Sequence, residues 1–315
     1  MQDRSEGVTL QGEYKQALKR LRTVRDLLRF GVSRFNEAGL SYGHCTDNAL
    51  DEAFYLVRHA LNLLPDQAES FLDARLTRSE IRTVLDLLQR RVHERLPAAY
   101  LTHEAWIGPH RFHVDERVIV PRSYIGHWLL GELTPWIEDA ERIERVLELC
   151  TGSGCLAVLA ALALPRARID AVDVSAEALQ VARRNVADYG LNSRIEVIDS
   201  DLFAALAQKR YDFIIANPPY VPSTAMAQLP PEYRHEPALA LAGGEDGLEI
   251  VRLILAGARR HLAPQGLLVM EVGHARPAVE AAYPRTAFTW LDMDGADDAV
   301  FVLTRPQLPA ARAGA

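Results

Sequence analysis

Val146-Leu147-Glu148-Leu149-Cys150-Thr151-Gly152-Ser153-Gly154 runs from an apolar, strand-like segment into a glycine turn, and 156–164 then reads as a helix. Glycines let a backbone bend tightly and approach a ligand, and the free amides at the helix start behind them suit a nucleotide-like group. Beyond this stretch the same alternation continues. Strand 169–172, helix 176–189, strand 195–198 and strand 213–215 are followed, after a long loop, by helix 248–262, strand 267–270, a helix near 277–282 and closing strands near 288–291 and 299–303. Such alternation implies an α/β fold: a Rossmann-like, mostly parallel sheet with helices on both faces and an antiparallel last strand.

Upstream the period changes. From about 13 to 96 apolar residues recur at helical spacing, as in Leu18, Leu21, Val24, Leu28 and again in Ile81, Val84, Leu85, Leu88, which predicts a small helical bundle. Asp47 and Thr77 are placed as N-caps, and Thr77-Arg78-Ser79-Glu80 fits a capping box. One face of the first helix would carry Lys15, Lys19, Arg22, Arg25 and Arg29. A solvated face explains such a stripe, and a docking surface for a partner rich in phosphate or acidic groups is the alternative. Between 99 and 121, aromatic and β-branched residues with turns at Gly108-Pro109 and Asp115-Glu116 read as a hairpin. The chain therefore divides into a helical domain (1–98), a hairpin linker (99–122), a larger ligand-binding domain (123–307) and a disordered tail (308–315).

With 315 residues, 49% hydrophobic and 24% charged, the chain is long enough for two domains. No apolar run reaches the ~18 residues of a membrane span, and the start, from Met1 to Gly7, lacks a signal pattern, so a soluble, cytoplasmic protein is expected. Cys45, Cys150 and Cys155 form neither an even disulfide set nor a metal-ligand spacing, even with His44 beside Cys45; no metal is expected. The net charge of −7, concentrated beyond the near-neutral first 100 residues, disfavours a protein that wraps nucleic acid.

Polar residues at the strand ends define a ligand site. Asp173 ends the second strand about 20 residues beyond the glycines, where a carboxylate accepts hydrogen bonds from ribose hydroxyls. Asp201 follows the third strand, placed for an adenine amino group. The fourth strand, Tyr211-Asp212-Phe213-Ile214-Ile215-Ala216, ends in Asn217-Pro218-Pro219-Tyr220. An amide, two prolines that restrict the backbone and an aromatic ring form a rigid clamp for a flat, weakly basic nitrogen. A nicotinamide enzyme would share the glycine turn and the acid, but hydride transfer has no use for the clamp. Methyl transfer from S-adenosylmethionine onto nitrogen uses all of it.

These residues resemble class I S-adenosylmethionine-dependent methyltransferases, and among them the protein N(5)-glutamine methyltransferases. Beyond Glu148 to Gly154 and Asn217 to Tyr220, the likeness rests on Val120-Pro121-Arg122, His235-Glu236-Pro237 and Ala242-Gly243-Gly244-Glu245-Asp246-Gly247-Leu248. Release-factor enzymes of that family usually carry Pro-Arg-Pro, an acidic residue and Thr-Glu after the hairpin, where this chain has Pro121-Arg122-Ser123-Tyr124-Ile125-Gly126. That departure, with the segments 29–36 and 42–48, is similar to the branch that methylates a glutamine of large-subunit ribosomal protein L-three. The resemblance implies a cofactor set of Glu148, Cys150, Thr151, Gly152, Ser153, Gly154, Asp173, Asp201 and Asn217. It implies substrate contacts from Asn217, Pro218, Pro219 and Tyr220, with Arg122 and Glu236 open between a loop anchor and a substrate role. It also implies a helical domain that recognises the ribosomal protein. The rivals are a release-factor methyltransferase, a nucleic-acid adenine methyltransferase that flips its base, and a non-catalytic ribosome-assembly factor.

Overall fold

The computed structural model describes residues 3–64, 67–131, 133–293 and 299–309, with side chains from residue 12 onward. The readings made for the extreme N-terminus and for most of the tail 308–315 fall outside the described residues. The chain forms two compact units: residues 1–103 with 230–235, and residues 104–229 with 236–315. The hairpin thus belongs to the second unit, and a short segment of the long loop belongs to the first.

The first unit is helical: α1 (Asp3–Arg20), α2 (Val24–Glu37), α3 (Ala49–Ala60), α4 (Arg78–Glu94) and α5 (Ala98–Thr102). Apolar residues three and four apart put Val24, Leu27, Leu28 and Phe35 of α2 and Ile81, Val84, Leu85 and Leu88 of α4 in its core. Thr77 caps α4 in the expected box with Glu80. The cap of α3 is Asn48, one residue beyond the expected Asp47, because its side-chain oxygen accepts the amides of Leu50 and Asp51, both at 3.0 Å. The basic stripe does not lie on one helix. Thr23 and Asp26 form a capping box that starts α2 after α1 has ended. Arg22 then folds back onto the carbonyls of Lys19 and Leu21 at 2.6 and 2.7 Å, and Arg25 pairs with Asp73 at 2.9 Å.

Arg91 is the largest side chain buried in this unit, 1% exposed. Its guanidinium donates to Glu52 at 2.6 Å, to Glu232 at 3.3 Å and to the Ser41 carbonyl at 2.9 Å. Burial alone would raise the Glu232 carboxyl, yet the Ser41 amide, Arg91 and Arg95 together hold it below its ordinary value. This ionic knot ties the 230–235 segment into the helices.

The second unit carries the hairpin β1 (Glu104–Ile107) and β2 (His110–His113), then α6 (Tyr124–Leu130), β3 (Arg145–Leu149), α7 (Cys155–Ala163), β4 (Arg168–Asp173), α8 (Ala176–Asp188), β5 (Ile195–Asp199) and β6 (Tyr211–Ala216). It continues with α9 (Ser223–Met226), α10 (Ala238–Leu241), α11 (Glu249–His261), β7 (Leu262–Glu271), α12 (Arg276–Ala282), β8 (Thr289–Trp290) and β9 (Val300–Thr304). The sheet order is β5-β4-β3-β6-β7-β9-β8. The first five strands are parallel and β9 is antiparallel to both neighbours. Alternate residues feed two cores, with Val146, Ile215 and Val269 facing α6 and α7, and Leu147, Ile214 and Leu268 facing α11. Buried on both faces, these strands read as continuous apolar runs.

Removing one partner from a buried ion pair strands the other charge, at a typical cost of about 3 to 5 kcal/mol. Arg91→Ala should destabilise the helical unit by about that amount in urea unfolding followed by circular dichroism; a loss below about 1 kcal/mol would contradict the role given to the knot.

Candidate active site

At the carboxyl ends of β3, β4, β5 and β6 the second unit holds a cavity of about 120 Å³. Open parallel sheets bind ligands at this edge. Cys150 and Gly152 line it from the turn after β3, Asp173 from the end of β4, Asp201 and Leu202 from the loop after β5, and Asn217 and Pro219 from the end of β6. Cys150 (φ 58°) and Leu202 (φ 47°) take the left-handed conformation that non-glycine residues rarely adopt, so the rim holds two strained positions. Apolar walls are supplied by Ile119, Val174, Leu239 and Ile250.

Asp173 braces this rim. One carboxylate oxygen accepts the Gly152 amide at 2.8 Å and the other the Ser175 amide at 2.9 Å. Burial raises its pKa, and the two amides oppose the shift. Glu148, one strand over, is buried and accepts the Thr151 hydroxyl. Burial pushes its carboxyl up to about 8 against the pull of Thr151.

The clamp is held by its neighbours in the sheet. Register pairs Ala216 with Leu149 on one side and with Met270 on the other, which sets Asn217 next to Glu271 at adjoining strand ends. Glu271 is buried, and its carboxylate accepts the Ser123 hydroxyl at 2.6 Å. Burial pushes this acid up to about 7, opposed by Ser123 and by the amides of Ile125 and Tyr124 at the start of α6. The Tyr220 hydroxyl is also raised, by burial first and then by the Glu271 charge.

Three glycines enclose Tyr220. A Cβ on Gly273 would meet its ring at 2.6 Å, and Cβ atoms on Gly243 and Gly247 would meet its Cα at 2.8 Å and its carbonyl oxygen at 2.5 Å. The Gly243 amide also donates to the Val221 carbonyl at 2.8 Å, and the Val221 amide donates to Leu241 at 2.9 Å. The segment 241–247 is therefore a backbone splint for the clamp, possible only where side chains are absent.

Comparison with known proteins follows the same lines. Residues 132–229 match the methyltransferase small domain. The ribosomal protein uL3 glutamine methyltransferase of Bordetella pertussis is 57% identical over 288 residues, 91% of this chain and 97% of that protein. The protein of the same name from Burkholderia pseudomallei is 56% identical over 296 residues, 92% of this chain and 96% of its own. The chain belongs to the ribosomal protein uL3 glutamine methyltransferases. Among solved structures, a methyltransferase from Pyrococcus furiosus is 18% identical with a TM-score of 0.41, covering 60% of this chain and 89% of that one.

In this methyltransferase the residues singled out from sequence separate into four groups. Cys150, Gly152, Asp173, Asp201, Asn217 and Pro219 share the cavity lining. Glu148, Thr151, Ser153 and Gly154 do not line it. Thr151 is bound to Glu148 and through its amide to Val172 at 2.9 Å, the Ser153 carbonyl accepts the buried Asn185 side chain at 2.8 Å, and Gly154 (φ 76°) precedes α7 against Ala182. They shape the turn. Within the clamp, Pro218 is buried and Tyr220 half-buried. Arg122 and Glu236 are paired with each other: two bonds of 2.5 and 2.7 Å join them, the Val120 amide donates to Glu236 at 2.9 Å, and the Glu236 side chain is 0% exposed. Sequence reasoning missed Glu271, Gly273 and Ser123. The available signal was an acid at the end of an apolar strand, followed two residues later by glycine.

The unfolded chain releases protons from Glu148 and Glu271 near the ordinary 4.5, whereas the folded protein holds them to about 8 and 7. Stability without ligand should therefore fall as pH rises through this window, and Glu271→Gln should flatten the lower part of the slope in thermal melts. Gly273→Ala should push the Tyr220 ring aside and lower kcat for methyl transfer at least tenfold, on the order expected for a sub-ångström to 1 Å misplacement. Cofactor affinity in that variant, read by calorimetry, should stay within a few-fold of wild type.

Proposed function

We propose that this protein transfers the methyl group of S-adenosylmethionine to the side-chain amide nitrogen of a glutamine in ribosomal protein uL3, with the Asn217 side-chain oxygen and the Pro218 carbonyl as acceptors for the two amide hydrogens. The observation that carries the reading is the placement of Asn217: it lines the cavity that also holds Asp173 and Asp201, at the end of a strand fixed on both sides by register.

The lining fits the cofactor. Asp173 keeps acceptor capacity for ribose hydroxyls, Asp201 is exposed at the cavity edge for an amino group, and Val174, Leu239 and Ile250 offer apolar surface to a flat ring. S-adenosylmethionine supplies, when bound, a methyl carbon activated by its positive sulfur. What the protein must add is a usable nucleophile. A carboxamide nitrogen is weak because its lone pair is delocalised into the carbonyl. Two acceptors that hold both N–H bonds fix the nitrogen and favour the geometry in which that lone pair is available. Prolines 218 and 219 stiffen these acceptors, and Tyr220, enclosed by its three glycines, offers a planar surface to the amide. Holding reactants in an attack-ready arrangement contributes on the order of 7 to 11 kcal/mol in the best intramolecular cases. No dedicated base is required, because the methylated nitrogen is strongly acidic before it loses its proton to water.

The helical unit is the proposed recognition surface for the ribosomal protein; it exposes Leu50, Leu64 and Phe71 at 58%, 59% and 47%. Contact with ribosomal RNA through Lys15, Lys19, Arg22 and Arg29 belongs to the proposal as well, supported by the exposure of all four, with Arg22 already engaged on carbonyl oxygens. A cytoplasmic site of action follows from the substrate, and no helix among the described residues is long and apolar enough to cross a membrane.

Asn217→Ala should lower methylation of ribosomal protein uL3, followed by mass spectrometry, by about 10²-fold or more while leaving cofactor affinity within a few-fold. Near-normal turnover in that variant, or a methyl group found on a release factor in place of the ribosomal protein, would overturn the proposal.

A further inference from the structure

At the opposite edge of the sheet from the cofactor cavity, the starts of β3, β4, β5 and β6 enclose a cleft of about 410 Å³. Arg145, Arg168, Arg194 and Lys209 line it, with Asp170 and Glu196 as its carboxylates. Cations outnumber anions there, in a unit whose sequence is acidic overall.

The arrangement of the two outer arginines is unusual for a surface. Arg145 and Arg168 are direct partners in the β3–β4 register, and both are exposed. Like charges placed opposite each other across strands repel and destabilise the pair. The neighbouring acids do not relieve this. Asp170 accepts Lys209 at 2.9 Å and the Tyr211 hydroxyl at 2.6 Å, and Glu196 lies 3.7 Å from the same lysine. Asp212 accepts the backbone amides of Glu144 and Arg145, both at 3.0 Å, and Glu144 lies 3.7 Å from Arg166. Arg194 is turned onto the carbonyls of Leu164 and Ala167 at 2.6 and 3.0 Å and acts as a wall. Among the described residues, neither Arg145 nor Arg168 has a carboxylate within 4.0 Å, and Arg168 reaches only the Ser193 carbonyl, at 3.5 Å.

We propose that this cleft binds a phosphate group between Arg145 and Arg168, at a site separate from methyl transfer. Two guanidinium groups carried by register partners on adjacent strands and lining one cleft offer together more donors than the two oxygens of a carboxylate can use, and so suit the several oxygens of a phosphate. Asn192 and Ser193, in the cleft wall, add polar groups at the mouth. The phosphate comes either from an RNA backbone or from a free nucleotide. Because the whole chain carries −7, the attraction is local, and binding of two charges should show a log–log salt slope of roughly −1 to −2.

The test uses the full chain and the double variant R145Q/R168Q, which removes both charges at two exposed positions without setting carboxylates opposite each other; circular dichroism and methylation of isolated ribosomal protein should match the wild type. A short fluorescent RNA, ADP and inorganic phosphate are titrated by anisotropy or calorimetry at low salt, with a polyglutamate peptide as competitor. The wild type should bind at least one phosphate probe, and the double variant should lose at least tenfold in affinity. RNA bound in preference to ADP assigns the source to nucleic acid, and the reverse assigns it to a free nucleotide. Equal affinity in the two proteins, no binding of any phosphate probe, or polyglutamate bound as tightly as the best of them would each overturn the site. The cofactor and the methyl acceptor are absent from these titrations, so their outcome is independent of the function proposed above.

Discussion

Ala216 lies in register between Leu149 and Met270, and the candidate site depends on that alignment. Parallel strands cannot slip by one residue without turning every side chain to the opposite face, and here both faces are buried in separate cores. The register consequently fixes three strand ends together: the strained turn at Cys150, the Asn217 clamp and the buried acid Glu271. Two acceptors meant to hold one amide group must be located to a fraction of an ångström, and a central sheet supplies that accuracy better than a loop does.

The segments that leave the sheet are pinned one by one. Glu271 holds Ser123 and the start of α6, so the residues after the hairpin are tied to the strand that adjoins the clamp. The neighbouring Arg122 binds Glu236 by two bonds, which brings the returning end of the long loop back to the hairpin exit. Four residues earlier, Glu232 is held in the helical unit by Arg91 and Arg95. The loop that follows the clamp is thus anchored through charged groups at both 232 and 236, where a single apolar contact would leave it free to shift. Acids recur at the sheet's carboxyl edge: Glu148 and Glu271 are buried and Asp173 half-buried, and burial raises the pKa of all three.

Much of this was legible in the order of residues. The alternation from 146 to 303 marks a parallel sheet because strands buried on both faces must be apolar throughout, and the Gly152 turn and the Asn217 clamp fall at strand ends because polar residues there interrupt the apolar runs. The capping box at Thr77 could be read for the same local reason. The break between α1 and α2 was obscured, since Leu18, Leu21, Val24 and Leu28 keep helical phase across it, although Thr23-Val24-Arg25-Asp26 carried a capping signal of its own. The pairings of Arg122 with Glu236 and of Arg91 with Glu232 join residues more than a hundred positions apart, and no local pattern records them. The closed packing of Gly243, Gly247 and Gly273 around Tyr220 is likewise a fact of three dimensions; the sequence displays the glycines without showing what they approach.

The most direct measurement is a crystal structure of the enzyme with S-adenosylhomocysteine and a glutamine-bearing peptide of ribosomal protein uL3. The glutamine side-chain nitrogen should lie about 2.7 to 3.2 Å from both the Asn217 side-chain oxygen and the Pro218 carbonyl, facing the sulfur of the cofactor product. A glutamine bound elsewhere, or an Asn217 amide turned away from the adenosyl group, would contradict it.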